Sequence, residues 1–305
     1  MMWQTTLAQP VSFTGIGLHS GRPVEVEIHP AGANHGLRFV RVDLPGKPTI
    51  QAHYSKVVET TRATTLGEGG VTLATVEHLL AALQGLGVNN ARIQVAGPEL
   101  PIMDGSAAPF ASLLAAAGLR ALPWPRAHLL VRRPVELRQG DQWMRVIPGE
   151  PRITYTIDFP HPLIRRQRYA VPLRAESFRA EIAPARTFGF LKEVQYLQTH
   201  GLALGGSLDN AVVLGDAGVL NPEGLRFPDE CVRHKILDAL GDLALLGLPL
   251  LGRLEVSRGS HELHCRFLEL LMREETAWRV WVPSPRTRER HHTWFQAPLW
   301  EGVPA

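Results

Sequence analysis

The sequence predicts an α+β fold built in two similar halves, each with a helix layer packed on sheet. Three observations carry that expectation. Short segments of alternating apolar and polar residues, bounded by Gly and Pro turns, occur in both halves and read as strands. Each half also holds two stretches in which apolar residues recur at helical spacing. Between the halves, Leu122-Pro123-Trp124-Pro125-Arg126 has two prolines in quick succession and no periodicity, which reads as a linker. Residues 1–122 and 127–305 are therefore expected to form an N-terminal and a C-terminal α+β domain.

In chain order, the alternation from Pro10 to Pro30 predicts paired strands on either side of the turn-rich loop Gly15-Ile16-Gly17-Leu18-His19-Ser20-Gly21. His19 sits on that loop. Val76, Leu79, Leu80 and Leu83 then mark a helix, with Thr75 as N-cap and with Gly85 and Gly87 closing it. A strand over 91–96, a loop over 98–106 and a helix over 108–117 complete this half. Beyond the linker, strands over 129–137 and 143–147 flank the turn Gln139-Gly140-Asp141, and a third over 152–158 extends them into an antiparallel sheet. Residues 188–196 read as helix, 211–214 as a short strand, and 229–246 as the clearest helix of the chain. A strand over 251–257 and a helix capped by Ser260 follow. No short-period repeat is visible, and the halves resemble each other only in element order.

Composition narrows the function. Of 305 residues, 45% are hydrophobic and 20% charged, the balance of a globular protein and not of a disordered or fibrous one. A net charge of +3 suits an anionic ligand such as a diphosphate, and equally a solvated basic surface. Nothing at the start reads as a secretion signal, so a cytoplasmic protein is expected. The most apolar stretch, residues 243–252, is far too short for a membrane span and is interrupted by Pro249, so no integral membrane segment is expected. Cys231 and Cys265 alone can build neither a disulfide scaffold nor a four-thiolate zinc site. Any metal must rely on carboxylates and on the 13 His residues.

The helix over 229–246 carries His234, Asp238 and Asp242 at i, i+4 and i+8, which stacks them along one face. An imidazole followed one turn later by a carboxylate can chelate a divalent ion, and that nitrogen and oxygen pair suits zinc. A solvated amphipathic face has the same spacing. A catalytic zinc takes a third protein ligand and leaves one position for water. His78 is the candidate, with Glu77 immediately before it. Adjacent helical residues diverge by about 100°, so His78 can bind metal while Glu77 flanks the water. The pair also reads as exposed residues early in a helix, where a carboxylate favours the dipole. His261 and His264, with Cys265 beside them, form a rival metal pair that lacks the Glu-x-x-His order of a zincin.

Six segments stand in order along nearly the whole chain: Gly17-Leu18-His19-Ser20-Gly21, Thr75-Val76-Glu77-His78-Leu79-Leu80-Ala81, Pro101-Ile102-Met103-Asp104-Gly105-Ser106, Arg186-Thr187-Phe188-Gly189-Phe190, Gly205-Gly206-Ser207-Leu208-Asp209-Asn210, and Arg233-His234-Lys235-Ile236-Leu237-Asp238-Ala239-Leu240-Gly241-Asp242. Together they resemble the UDP-3-O-acyl-N-acetylglucosamine deacetylases, the zinc enzymes of early lipid A synthesis. The resemblance implies two α+β domains whose helix layers lie between outer β-sheets, with the active site at the domain interface. It implies His78, His234 and Asp238 as ligands of Zn2+, Glu77 as general base and Thr187 beside the scissile carbonyl. His261 would be a cationic histidine kept protonated by Asp242. Asp158 and Phe159 would meet uracil, Lys235 and Arg258 the diphosphate, and Phe188 and His19 would be further substrate contacts. Val194, Leu202, Leu208 and Val213 fall in the section that builds the acyl passage. A monomer acting on UDP-3-O-acyl-N-acetylglucosamine, with no nucleic-acid partner, is expected.

Thr61-Arg62-Ala63 stands where relatives carry a more apolar run, and Glu193 where an Asp is frequent; both bear on acyl preference. Three other functions fit parts of the sequence. A noncatalytic nucleotide-sugar sensor would keep the fold and lose Glu77, Thr187 or His261, all of which are present. A nucleic-acid-binding protein would use the basic run Arg286-Thr287-Arg288-Glu289-Arg290-His291-His292, which is short and has no recognition motif beside it. A zinc amidase for another acylated nucleotide sugar differs only in substrate.

Overall fold

The structure, a computed structural model, describes residues 2–216 and 218–283, and the basic run over 286–292 lies outside the described residues. Mixed helix and sheet, as expected, account for the chain. Strands β1 (Val11–Ile16), β2 (Pro23–Pro30), β3 (Leu37–Arg41), β4 (Thr49–Gln51) and β5 (Ala91–Val95) form one sheet in the order β1-β2-β5-β3-β4. Strands β6 (Val135–Gln139), β7 (Gln142–Ile147), β8 (Arg152–Phe159), β9 (Arg165–Pro172) and β10 (Arg253–Ser257) form a second in the order β6-β7-β10-β8-β9. In both sheets the last strand in sequence enters the middle, antiparallel to one neighbour and parallel to the other. The halves therefore share a strand topology as well as an element order. The third C-terminal strand does not extend the hairpin directly, because β10 lies between β7 and β8. Alternation marks a strand and one buried face, as in β2 with Val24, Val26 and Ile28 inside. It carries no information about partners.

The helices are α1 (Glu77–Leu86), α2 (Ala108–Ala117), α3 (Leu191–Thr199), α4 (Glu230–Ala244) and α5 (His261–Arg273). In each half one long helix precedes the inserted strand and one follows it. The two that precede, α1 and α4, pack against each other. Both are buried on nearly every side, the pattern of interior helices and not of surface ones. A single apolar cluster runs from Leu7 through both halves to Ala277. Among the described residues no helix is long and apolar enough to cross a membrane.

Several boundaries differ from expectation for identifiable reasons. Thr75 is not the cap of α1. It sits at φ +59°, and its hydroxyl donates to Glu99 at 3.2 Å, while Val76 precedes the helix without a side-chain cap. Gly87, at φ +83°, ends α1, whereas Gly85 lies inside it. A Cβ at Gly85 would overlap the Phe178 ring, so that glycine serves close packing. The expected linker is a strand, Leu119–Pro125, paired antiparallel with Trp3–Leu7; a two-stranded ribbon has open edges where proline is tolerated. The stretch 129–137 divides into His128–Val131, paired with Trp278–Trp281, and β6. Phe188–Phe190 is a strand and the helix begins only at Leu191. Gly252 interrupts the last strand, where a Cβ would stand 2.9 Å from Val131 and 3.0 Å from Val146. Ser260 caps α5 as expected, accepting from the Leu263 amide at 3.2 Å.

Candidate metal centre and catalytic cleft

Packing α1 against α4 brings together the residues that spacing singled out. Ligand atoms of His78, His234 and Asp238 lie within 4.8 Å of one another, and all three side chains are buried. Asp238 Oδ1 faces His234 Nε2 at 3.2 Å and His78 Nε2 at 3.7 Å. The two imidazoles stand edge to face, at 86° and 5.0 Å between centroids. His234 Nδ1 donates to the Ala185 carbonyl at 3.0 Å, which leaves Nε2 as a lone pair toward the cluster. Lys235 Nζ donates to Asp238 Oδ2 at 2.7 Å, leaving Oδ1 for the imidazoles. Burial would raise Asp238, but His234 and Lys235 outweigh it and hold the carboxyl well below its usual range. Two imidazole nitrogens and one carboxylate oxygen, converging in a buried spot, form a donor set that fits zinc.

The carboxylate of Glu77 adjoins this set. Its Oε2 accepts from the Thr64 amide at 3.1 Å, and Oε1 lies 3.9 Å from His261 Nε2. Burial pushes Glu77 above the ordinary carboxylate value, against the opposing pull of His261 and His78. Behind His261, Asp242 is fully enclosed. Its Oδ2 accepts from His261 Nδ1 and from His264 Nδ1, each at 2.8 Å, and Oδ1 accepts from the Thr64 hydroxyl at 2.5 Å. Burial would lower His261, yet the charge and hydrogen bond of Asp242, with Glu77 beyond, lift it to about 9. Burial likewise opposes the ionisation of Asp242, and His261 overrides it, bringing Asp242 down to about 2. The rival pair of His261 and His264 is thus joined through a carboxylate by hydrogen bonds. Cys265 beside it is buried and its thiol is pushed up by burial.

The expected metal ligands, catalytic residues and nucleotide contacts, Asp242 excepted, line one cleft of about 570 Å³. His19, Thr187, Phe188, Asp158, Phe159, Lys235 and Arg258 are all on its wall, as are Arg62 and Glu193. Phe159 stands edge to face with Phe188, 5.7 Å between centroids. Arg258, at φ +52°, is held by Asp141 and by Asp158, the latter at 2.6 Å. Two expected contacts are therefore already engaged: Lys235 with a candidate ligand, and Arg258 with the carboxylate expected at uracil. Of the expected acyl-passage residues, Val213 is buried in the core while Leu202 and Leu208 are exposed.

Residues that sequence reasoning missed hold the site from behind. Glu99, buried, accepts from the His19 amide at 2.8 Å and the Ser20 amide at 2.9 Å, so it shapes the loop on which His19 reaches the cleft. Arg186, buried beside Thr187, donates from both its amide and Nε to Glu230 Oε1, each at 2.9 Å. Glu230 stands one turn before His234 on α4, and Ala185 accepts from His234. One ion pair therefore fastens the Thr187 segment to the helix face that bears His234. Only the order Arg186-Thr187 within a quoted segment hinted at this.

Residues 4–273 match the family described as "LpxC: UDP-3-O-acyl N-acetylglycosamine deacetylase". Similar proteins named UDP-3-O-acyl-N-acetylglucosamine deacetylase include one from Syntrophotalea carbinolica, 47% identical over 281 residues, spanning 92% of this chain and 91% of that protein. Another, from Citrifermentans bemidjiense, is 44% identical over 305 residues, spanning 100% and 98%. A third, from Myxococcus xanthus, is 46% identical over 284 residues, spanning 93% and 90%.

Proposed function

The chain belongs to the UDP-3-O-acyl-N-acetylglycosamine deacetylase family, and on that premise we propose that it hydrolyses the N-acetyl group of UDP-3-O-acyl-N-acetylglucosamine, in lipid A biosynthesis, with zinc held by His78, His234 and Asp238. The observation that carries this reading is the convergence of those three donors beside Glu77 and His261 in one cleft. Residues 1–122 and 127–305 act as two domains with their helix layers inside and the cleft between them. The shared strand topology and the contact of α1 with α4 support that division.

Bound there, zinc would acidify a water and polarise the acetamide carbonyl. Glu77 takes the proton of that water, and its burial makes it a stronger base than an exposed carboxylate. The Thr187 hydroxyl donates to the oxygen on which negative charge develops. His261, protonated and held by Asp242, gives its proton to the departing amine, so water and amide become acetic acid and amine, the acid ionising to acetate as it leaves, with Glu77 left protonated and His261 neutral until they exchange protons again with solvent. Lys235 orients Asp238 by taking Oδ2. Arg258, fixed by two carboxylates, and the aromatic pair Phe159 and Phe188 meet the nucleotide, with His19 a further contact in the same cleft.

The test is zinc content together with acetate release from UDP-3-O-acyl-N-acetylglucosamine, in wild type and His234→Ala. About one zinc per chain with acetate release in the wild type, both lost in the variant, supports the assignment. Zinc without acetate release would move the substrate to another acylated nucleotide sugar.

A further inference from the structure

Asp242 serves two histidines, and the mechanism uses one of them. His264 is wholly buried. Its Nδ1 reaches the same Asp242 oxygen as His261 does, each at 2.8 Å, and its Nε2 lies 3.2 Å from the hydroxyl of the fully buried Tyr155. The rings of His261 and His264 stand at 86°, 6.3 Å between centroids. This corner is tightly closed: a Cβ at Gly259 would stand 2.8 Å from His264 Nε2 and would overlap the Tyr155 hydroxyl. His261 lines the cleft, whereas His264 does not.

We propose that His264 is a positioning residue for the proton donor: by donating to Asp242 Oδ2 it fixes that carboxylate's orientation and divides its acceptor strength, so that His261 releases its proton more readily. The inference rests on the reading of His261 as donor to the leaving amine.

The neighbours of the two imidazoles direct their protons. Asp242 Oδ1 accepts from the Thr64 hydroxyl, and both imidazoles meet Oδ2. Facing His261 are Asp242 and Asp238 from α4, Glu77 from α1, and His264 one turn along its own helix. His264 is faced by Asp242 and Lys235 from α4, Tyr155 from β8, and His261. Burial holds His264 below the ordinary histidine value, with His261 and Lys235 adding to the effect against the pull of Asp242. It is therefore neutral. Its one N–H is on Nδ1 toward Asp242, and the Tyr155 hydroxyl donates to the bare Nε2. An acceptor shared between two donors binds each less strongly than it would bind one. Removing the second donor concentrates the Asp242 charge on His261.

The side-chain amide of Asn can place an N–H where His264 Nδ1 stands, whereas Gln extends toward Tyr155 and supplies none at that point. In the zinc-loaded enzyme, His264→Gln is expected to raise the proton affinity of His261 about threefold, roughly half a pH unit. Histidine-selective NMR titration reads that shift, and the basic limb of the kcat/KM profile should move upward with it. His264→Asn should leave both at wild-type values. A role in packing alone predicts the reverse order, because Asn leaves the larger void; that order, or no shift in either variant, would overturn the proposal. An NMR shift without movement of the basic limb would uphold the tuning of His261 and remove His261 from the donor role.

Discussion

Gly241 on α4 lies directly against the backbone of Glu77 on α1: a Cβ there would overlap the Glu77 carbonyl and stand 2.8 Å from its Cα. The two helices that carry the candidate ligands therefore touch backbone to backbone beside the proposed general base. Gly241→Ala must push α1 away from α4 and spread His78 from His234 and Asp238. Loss of zinc affinity and a fall in kcat of tenfold or more are expected, by the rough cost of misplacing groups by an ångström. Zinc titration and steady-state kinetics check this, and a variant with lowered stability and intact turnover would contradict it.

The Asp242–His261 pair sets a stability window. His261, raised from 6.5 to about 9, contributes stability that is complete below 6.5 and is lost as pH rises through about 9. Asp242, lowered from 3.8 to about 2, contributes stability present above 3.8 and lost as pH falls through about 2. The joint contribution is greatest between those inner values. Urea unfolding across pH, in wild type and Asp242→Asn, should show the difference between the two proteins shrinking above pH 7.

Gly85→Ala should destabilise, although the same change in an exposed helix gains roughly 1 kcal/mol. The added Cβ meets the Phe178 ring, and overpacking a core costs about 1–3 kcal/mol. A lower urea midpoint at constant slope is the expected result.

Glu230→Gln leaves Arg186 buried with Glu223, half exposed, as its remaining carboxylate partner. Breaking one side of a buried pair costs about 3–5 kcal/mol. Since that pair fastens the segment holding Ala185 and Thr187, kcat should fall with KM little changed; equal loss of kcat and gain in KM would point to a broader collapse.

Chelation should abolish turnover and leave far-UV circular dichroism unchanged, because the candidate ligands stand on helices buried in the common apolar cluster. Readdition of zinc should restore activity and raise Tm with the logarithm of the ligand excess.

The three candidate ligands were legible because His234 and Asp238 obey a local helical rule and Glu77-His78 begins a periodic run. The supporting cast was not. Glu99 acts on a loop some eighty residues away in sequence, His264 meets Tyr155 across 109 residues, and Glu230 reaches Arg186 across 44; no local pattern encodes such pairs. Several strands were read from alternation, among them β2, β5, β7 and β8, but β3, β4 and β9 were not, Phe188–Phe190 was read as helix, and nothing local announced the insertion of β10 between β7 and β8. Pro123 and Pro125 obscured a strand because their missing N–H groups matter only where a neighbour needs them.

In both five-stranded sheets the strand that arrives last in the chain joins two pairs that are already complete. A nascent chain emerging from the ribosome can form the hairpin of β6 with β7 and that of β8 with β9, yet nothing bridges them until residues 253–257 appear. Translation must therefore pass residue 257 before the second sheet can close, and the unpaired edges of both hairpins stay open to wrong partners throughout that interval.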